Sequence, residues 1–222
     1  MIYFIDTNIG IGYSIFPDKF HNPCKDFITD ALEEIYWSNG VYKEFNDKFY
    51  ELLGNIEDFL DIISHNLNNI SFSFYNKDNF ASFILEKTKN IKLDSIKKSK
   101  LIDVFWENCI QGFSQDINEL RNRFNDFSLY VPNLFYERKN LLINKVICHN
   151  CGLENYKNYP NLKSLLVNNN VHDPDYKFVL DAHDLGRNNI VVFVTCDKNM
   201  VESIIENNLL CRLCIENFNV LC

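Results

Sequence analysis

Carboxylates follow two apolar stretches of this sequence, close to the point where each stretch ends. Asp6 comes directly after residues 2–5 (IYFI), and Asp197 comes shortly after residues 190–194 (IVVFV). Short runs of β-branched and aromatic residues predict buried parallel strands. Because the carboxyl ends of parallel strands meet at one edge of a sheet, Asp6 and Asp197 are expected to lie at the same edge.

Two further acids can join this pair. Glu44 lies early in a predicted helix that Ser38 opens, and Asp175 lies in the first turn of another predicted helix. Four carboxylates at one sheet edge repel one another unless a cation lies among them, and hard divalent cations such as Mg²⁺ prefer carboxylate and water oxygens. The pattern therefore indicates a metal site. The alternative is that the acids only cap helices or interact with helix dipoles.

The elements that position these acids predict an α/β fold. Asp173 is an N-cap residue followed by a proline, and Gly186 is a typical helix end, so a helix is expected over residues 174–185. This helix leads into the strand at 190–194. Strands near the two ends of the chain, with helices between them, predict a three-layer α/β/α sandwich around a central parallel sheet.

The middle of the chain is predicted to be mostly helical. No proline occurs between Pro23 and Pro132. Apolar residues recur there at steps of three and four, which predicts buried helix faces. These residues are Phe49, Leu52, Leu53, Ile56, Phe59, Leu60 and Ile63 in one stripe, and Phe113, Ile117, Leu120, Phe124 and Phe127 in another. We expect residues 1–222 to form one domain, with residues from about 50 to 165 as a mostly helical insertion.

Length, composition and charge limit the classes of protein. The 222 residues are 46% hydrophobic and 23% charged, which is typical of a globular chain with a real core. No apolar run is long enough to span a bilayer, and the start of the chain does not resemble a secretory signal, so a cytoplasmic protein without membrane contact is expected. The net charge of −8 disfavours binding of nucleic acid by bulk electrostatics.

Four segments, taken in order, resemble the PIN domain family of metal-dependent ribonucleases. The opening FIDTN is similar to the family's first strand, which ends in Asp-Thr-Asn, and YWSNGVYKEF is similar to its second strand with a Ser and a Glu six residues on. DPDYKFVLDAHDLG resembles its acid-bearing helix, and IVVFVTCDKNM resembles its strand ending in Thr-x-Asp. The resemblance covers residues from about 1 to 50 and from 170 to 222.

This resemblance implies particular roles for residues of the chain. The catalytic and metal-binding acids that it implies are Asp6, Glu44, Asp175 and Asp197. Thr7, Asn8 and Thr195 are implied as supporting hydrogen-bonding residues, with Asp173 also near the site. Asp173 and Asp181 are alternatives for the third acid. Asp175 is preferred because it precedes Ala182 by seven residues, on nearly the same helix face and at the family's spacing.

The resemblance also implies an activity. It is hydrolysis of phosphodiester bonds by an endoribonuclease that uses Mg²⁺ or Mn²⁺ and leaves a 5′-phosphate, with single-stranded RNA as the expected substrate. Structured RNA, a second copy of the chain and an inhibitory protein are further partners to consider. The alternative is a non-catalytic PIN-like scaffold that binds RNA or protein and keeps its acids as helix caps.

Two other patterns in the sequence could carry function. The pairs Cys148/Cys151 and Cys211/Cys214 have CxxC spacing and could hold a structural Zn²⁺, but about 60 residues separate them, so zinc is the less favoured reading. A group of lysines near Phe80, Phe83 and Tyr75 could bind an RNA backbone, although a solvated helix face is favoured. These lysines are Lys87, Lys89, Lys92, Lys97, Lys98 and Lys100.

Overall fold

A computed structural model of the protein describes residues 1–67, 76–111, 116–149 and 154–221. The strands are β1 Ile2–Ile5, β2 Ile35–Ser38, β3 Ile147–His149, β4 Val191–Thr195 and β5 Asn217–Val220. The helices are α1 Thr7–Ser14, α2 His21–Asp30, α3 Asn39–Asn66, α4 Lys77–Lys87, α5 Ser95–Phe105, α6 Ile117–Lys145, α7 Pro160–Asn168, α8 Asp175–Gly186 and α9 Lys198–Glu206. A short 3₁₀ helix, Asn155–Asn158, precedes α7.

The strands form one parallel sheet in the order β3-β2-β1-β4-β5. The prediction of an α/β fold around a parallel sheet is therefore confirmed. The two strands predicted near the chain ends, β1 and β4, are neighbours, with Ile5 paired to Val194. Phe4 and Phe193 lie side by side and stack with ring centroids 5.5 Å apart, because this register places them opposite each other.

The expectation of strands only near the chain ends is wrong. β3 falls inside the segment predicted as helical insertion, whereas β2 lies where the resemblance of YWSNGVYKEF to the family's second strand predicts a strand. β3 has only 3 residues, and β5 (NFNV) alternates polar and apolar side chains. Neither segment has a run of apolar residues that would reveal it, since edge strands are formed by pairing with a neighbour rather than by their own burial.

The described residues separate into two compact units. The first contains residues 1–16, 20–48 and 138–222, and it includes the whole sheet. The second contains residues 17–19 and 49–137. Residues 138–165, which were predicted to lie in the insertion, thus belong to the unit that carries the sheet. Whether the chain is one domain with an insertion remains a prediction.

The predicted apolar stripes form buried helix faces in the second unit. Phe49, Ile56, Phe59 and Ile63 of α3 are fully buried, and Leu120, Phe124 and Phe127 of α6 are nearly so. Phe113 and the side chain of Ile117 lie outside the described residues. No helix in the described ranges is both long and apolar enough to cross a membrane.

Three lysines of the proposed RNA-binding group form ion pairs or hydrogen bonds within the second unit. Lys97 Nζ lies 2.9 Å from a carboxylate oxygen of Asp18 and 2.7 Å from one of Asp94. Lys98 Nζ donates to the carbonyl of Thr88 at 2.7 Å, and Lys100 Nζ donates to the carbonyl of Asp18 at 2.6 Å. These contacts favour a structural role for the three lysines.

Candidate active site

Asp6 ends β1 and caps α1. Its Oδ1 accepts hydrogen bonds from the backbone N–H groups of Asn8 at 2.8 Å and Ile9 at 3.4 Å. Its Oδ2 accepts hydrogen bonds from the Thr195 hydroxyl and from the Asn8 side-chain amide, the latter at 3.2 Å. The residue is only 6% exposed. Donors from the β1–α1 turn and from β4 therefore hold this buried carboxyl in place.

Asp197 lies just beyond β4 and caps α9. Its Oδ1 accepts the backbone N–H of Met200 at 2.9 Å. Its own backbone N–H donates to the Thr195 hydroxyl oxygen at 2.9 Å, and that hydroxyl donates to Asp6. Thr195 thus connects the two segments that carry the acids. The two acids lie at the carboxyl ends of neighbouring strands, as their positions in the sequence predict.

Glu44 is presented by the second turn of α3. The Ser38 hydroxyl accepts the backbone N–H of Val41 at 3.3 Å, so Ser38 opens this helix as predicted. Thr7 donates its hydroxyl to Glu44 Oε2 at 2.5 Å. Lys48 Nζ lies 2.8 Å from Glu44 Oε1, one helical turn further on. Both carboxylate oxygens of Glu44 are therefore engaged.

Asp175 lies in the first turn of α8 and is half-buried. Its pKa is raised to about 6, first by burial and then by the negative charges of Asp197 and Glu44, while Lys48 and His172 act in the opposite direction. Asp175 is therefore close enough to both acids for their charges to act on it.

The pKa of Asp6 is raised to about 7. Burial is the main cause, and the charge of Asp175 adds to it, while the hydrogen bonds from Thr195, Asn8 and Ile9 lower the pKa in part. Asp6, Glu44, Asp175 and Asp197 are therefore linked electrostatically through Asp175, and we call these four residues the acid cluster. Acidic groups with raised pKa values are typical of functional sites, although structural networks also produce them.

The two neighbouring acids that were alternatives to Asp175 have other partners. Asp173 is largely exposed and lies 2.8 Å from Lys177 Nζ. Asp181 is buried, and it accepts the backbone N–H of Tyr156 at 3.1 Å and a hydrogen bond from Ser38. Burial is the main cause that raises its pKa to about 6.

The prediction that Asp173 caps α8 is wrong. Pro174 occupies the cap position, and no side chain caps the helix there. The Asp173 carboxylate instead reaches Lys177, four residues on, because an ion pair of this spacing is available along the helix surface. The predicted helix end at Gly186 is confirmed.

Lys48 was not identified from the sequence as a residue of the site. Its spacing of four from Glu44 is the signal that could have found it, because residues four apart lie on the same helix face. The Lys48 ammonium lies beside Glu44 and lowers the pKa of Asp175. It provides part of the positive charge that four neighbouring carboxylates require.

The donor set of the acid cluster fits a hard divalent cation, because carboxylate oxygens are the ligands that Mg²⁺ and Mn²⁺ prefer. In the described ranges, however, no group of three or more His, Cys, Asp or Glu side chains is arranged so that it could already hold a metal ion. Hydrogen bonds from Thr195 and Thr7 and the ion pair with Lys48 occupy carboxylate oxygens of Asp6 and Glu44. Metal binding would have to replace or rearrange such contacts.

Cys148 and the Cys211/Cys214 pair lie near different edges of the sheet. Cys148 is in β3, whereas Cys211 and Cys214 precede β5, and these two edge strands are four strand spacings apart, about 19 Å. Cys151 lies outside the described residues. This arrangement gives no support to a shared zinc site, which remains a prediction.

A testable consequence concerns pH and metal binding. Both Asp6, with a pKa of about 7, and Asp175, with a pKa of about 6, hold protons more tightly in the folded protein than at their ordinary value of 3.8. Protons would therefore compete below pH 7 with a cation that binds these carboxylates. We expect at least roughly tenfold weaker apparent Mg²⁺ affinity at pH 5.5 than at pH 7.5, read from melting temperature against Mg²⁺ concentration. Equal Mg²⁺-induced shifts in melting temperature at both pH values would contradict this prediction.

Comparison with known proteins returns no match: no protein-family model, no curated protein and no solved structure matches the chain. The acid cluster and the quoted motifs are therefore the observations on which a function can be proposed.

Proposed function

We propose that the chain is a divalent-metal-dependent endoribonuclease that hydrolyses phosphodiester bonds in single-stranded RNA at the acid cluster. The observation that carries the proposal is the grouping of four acids: Asp6 and Asp197 follow the adjacent strands β1 and β4, Thr7 next to Asp6 donates to Glu44, and Asp175 lies close enough for the charges of Asp197 and Glu44 to raise its pKa. Neighbouring carboxylates repel one another, and a divalent cation bound among them would compensate this repulsion.

The proposal extends to the fold. A PIN-like fold is supported by the resemblance of the four quoted motifs and by a parallel sheet that has Asp6 and Asp197 beyond adjacent strands. Residues 49–137 form most of the second unit, and we propose that they are a helical insertion into the PIN-like unit. A cytoplasmic location is part of the same proposal.

The residues of the cluster have separate tasks in this mechanism. Asp6 and Asp197 would hold Mg²⁺ or Mn²⁺, and Glu44 and Asp175 would complete the site. Such ions, when bound, would activate a water molecule and neutralise charge that develops on the phosphate. Asp175, in the first turn of α8, would complete the ligands of the cation or orient the attacking water. The Thr195 hydroxyl orients Asp6. Cleavage would leave a 5′-phosphate, as in the family that the motifs resemble.

A second candidate is a scaffold without catalytic activity. The observation that favours it is that Asp6 and Asp197 each cap a helix, α1 and α9 respectively. Capping alone explains a carboxylate at those two positions. The dipole of α8 explains Asp175 in the first turn of that helix, but neither capping nor a helix dipole explains Glu44 as readily, because Glu44 lies in the second turn of α3.

Incubation of the purified protein with end-labelled single-stranded RNA tests the two candidates. We expect cleavage in Mg²⁺ or Mn²⁺ and none in EDTA, because the acid cluster would lack its cation. Mapping of the product ends checks for the 5′-phosphate. Cleavage that persists unchanged in EDTA would contradict the metal-dependent mechanism, and absence of cleavage under every metal condition would favour the scaffold.

A further inference from the structure

A cleft of about 360 Å³ opens beside the acid cluster. Its walls carry the ring of Tyr156, two lysines and four acids, and we call it the Tyr156 cleft. The lysines are Lys43 and Lys177, and the acids are Glu44, Asp47, Glu154 and Asp181. Its size is within the range of about 300–1,000 Å³ that is usual for small-ligand sites. Because Glu44 belongs both to the cleft wall and to the acid cluster, a ligand in the cleft would lie next to the proposed reaction centre.

The Tyr156 ring is held in a defined position. Its ring packs edge-on against Tyr176, with centroids 6.3 Å apart and an interplanar angle of 78°. Its backbone N–H donates to the buried carboxylate of Asp181 at 3.1 Å. The side chain itself is partly exposed, whereas Tyr176 is only 6% exposed. A partly exposed ring that is fixed from behind is suited to stack against the base of a nucleotide.

Positive charge lies beside this ring. Lys177 Nζ is 5.6 Å from the centroid of the Tyr156 ring, and Lys43 is an exposed lysine on the wall formed by α3. The cleft also contains carboxylates. Glu44 is ion-paired with Lys48, Glu154 is ion-paired with Lys157, Asp181 accepts the Tyr156 backbone N–H, and Asp47 is exposed. Lys177 is itself ion-paired with Asp173, so the Tyr156 ring and the exposed amine of Lys43 are the features best suited to a strand of single-stranded nucleic acid.

We propose that the Tyr156 cleft binds one nucleotide of the RNA strand, next to the bond that the acid cluster cuts. The base stacks on Tyr156, and the phosphates on either side of the nucleotide lie near Lys43 and Lys177. This subsite rests on the proposed nuclease function and adds a binding residue to it.

Binding of RNA without cleavage tests the subsite. The probe is a fluorescein-labelled single-stranded RNA of mixed sequence, and its anisotropy is measured with the Asp6→Asn protein in Mg²⁺. Adding Tyr156→Ala should weaken binding about tenfold, the effect of losing one base stack. Tyr156→Phe keeps the ring and should bind within about twofold of its parent. Lys177→Gln should reduce the slope of log affinity against log salt by about 0.7, the effect of one phosphate contact.

A matched control uses a tyrosine outside the cleft. Tyr130 is 58% exposed on α6, and Tyr130→Ala should leave RNA binding unchanged. Melting temperatures show whether each variant is folded. A folded Tyr156→Ala protein that binds RNA as tightly as its parent would overturn the subsite, and so would a parent protein that does not bind RNA. If RNA binding depends on Tyr156 but the unaltered protein does not cleave RNA, the result would support the nucleotide subsite and contradict the proposed nuclease activity.

Discussion

Asp6→Asn is expected to lower metal-dependent RNA cleavage roughly a thousandfold. Asn has no negative charge and offers a cation one carbonyl oxygen, so the site loses a principal ligand and the several kcal/mol of transition-state stabilisation that a correctly held ion provides. The helix cap is not lost, because Asn caps helices as well as Asp does. The measurement is the initial rate of cleavage of end-labelled RNA at saturating Mg²⁺, compared with that of the unaltered protein.

The same substitution is expected to stabilise the metal-free protein. The pKa of Asp6 is about 7 in the folded protein and 3.8 as the ordinary value, so ionised Asp6 weakens the folded state, and this loss grows as pH rises from about 4 through about 7. Asn removes the buried charge. We expect a gain of about 1–3 kcal/mol at pH 8 in EDTA, or about 2–4 °C in melting temperature for each kcal/mol. The gain should shrink as pH falls below 7 and disappear only below about pH 4, where Asp6 is protonated in both the folded and the unfolded protein.

Asp94→Asn is a matched control, because Asp94 also caps a helix, α5, and accepts a backbone N–H at 2.8 Å. Burial acts to raise the pKa of Asp94, but the hydrogen bonds and charge of Lys97 outweigh burial and lower it. Its charged form therefore stabilises the folded protein, and Asp94→Asn should lower stability slightly without affecting cleavage.

If Asp6→Asn cleaves RNA at the unaltered rate, the acid cluster is not the reaction centre. If the Asp6→Asn protein instead has a lower melting temperature than the unaltered protein at pH 8 in EDTA, burial does not dominate the energetics of Asp6.

Gly186→Ala is expected to destabilise the protein by roughly 3 kcal/mol or more. A Cβ at Gly186 would lie 1.6 Å from the carbonyl oxygen of Cys214, so the end of α8 and the segment before β5 would have to separate. Overpacking typically costs about 1–3 kcal/mol, and a contact with backbone is the least easily relieved. Because α8 carries Asp175 at its other end, we also expect reduced cleavage. Denaturant unfolding, with cleavage measured in parallel, gives both values.

Gly54→Ala makes the same chemical change in a different setting. Gly54 lies within α3, and a Cβ there would meet nothing within 4 Å. Alanine is a better helix former than glycine, so this substitution should raise stability by about 0.5–1 kcal/mol. The two variants should therefore shift the unfolding midpoint in opposite directions. A Gly186→Ala protein as stable as the unaltered one would show that the backbone contact with Cys214 is absent in solution.

Local features of this protein could be read from its sequence because they depend on neighbours in the chain. The runs at β1 and β4 are apolar and β-branched, so their burial is visible in the sequence itself. Asp197 caps α9 and Ser38 opens α3 because a cap bonds to an N–H two or three residues away. Order along the chain also suggested which four acids to group, although their roles in catalysis remain a prediction.

Tertiary structure decided the features that depend on residues distant in the chain. β3 and β5 are edge strands without an apolar run, so only pairing with β2 and β4 makes them strands. The hydroxyl of Thr195 reaches Asp6 across 189 positions of sequence, and no local pattern predicts that contact. Lys97 shows the same limit: the basic stretch suggested a solvated helix face, or else RNA binding, but the fold buries this lysine beside Asp18.

The pKa values of the acids likewise depend partly on residue type, which the sequence shows, and partly on the fold. The sequence determined that the site is built from carboxylates, since residue type sets the chemistry of a side chain. Only the fold decided how far Asp6 is buried and that Asp175 lies within reach of Asp197 and Glu44. Burial and distance set the energy of a charge, and both are properties of the packed chain.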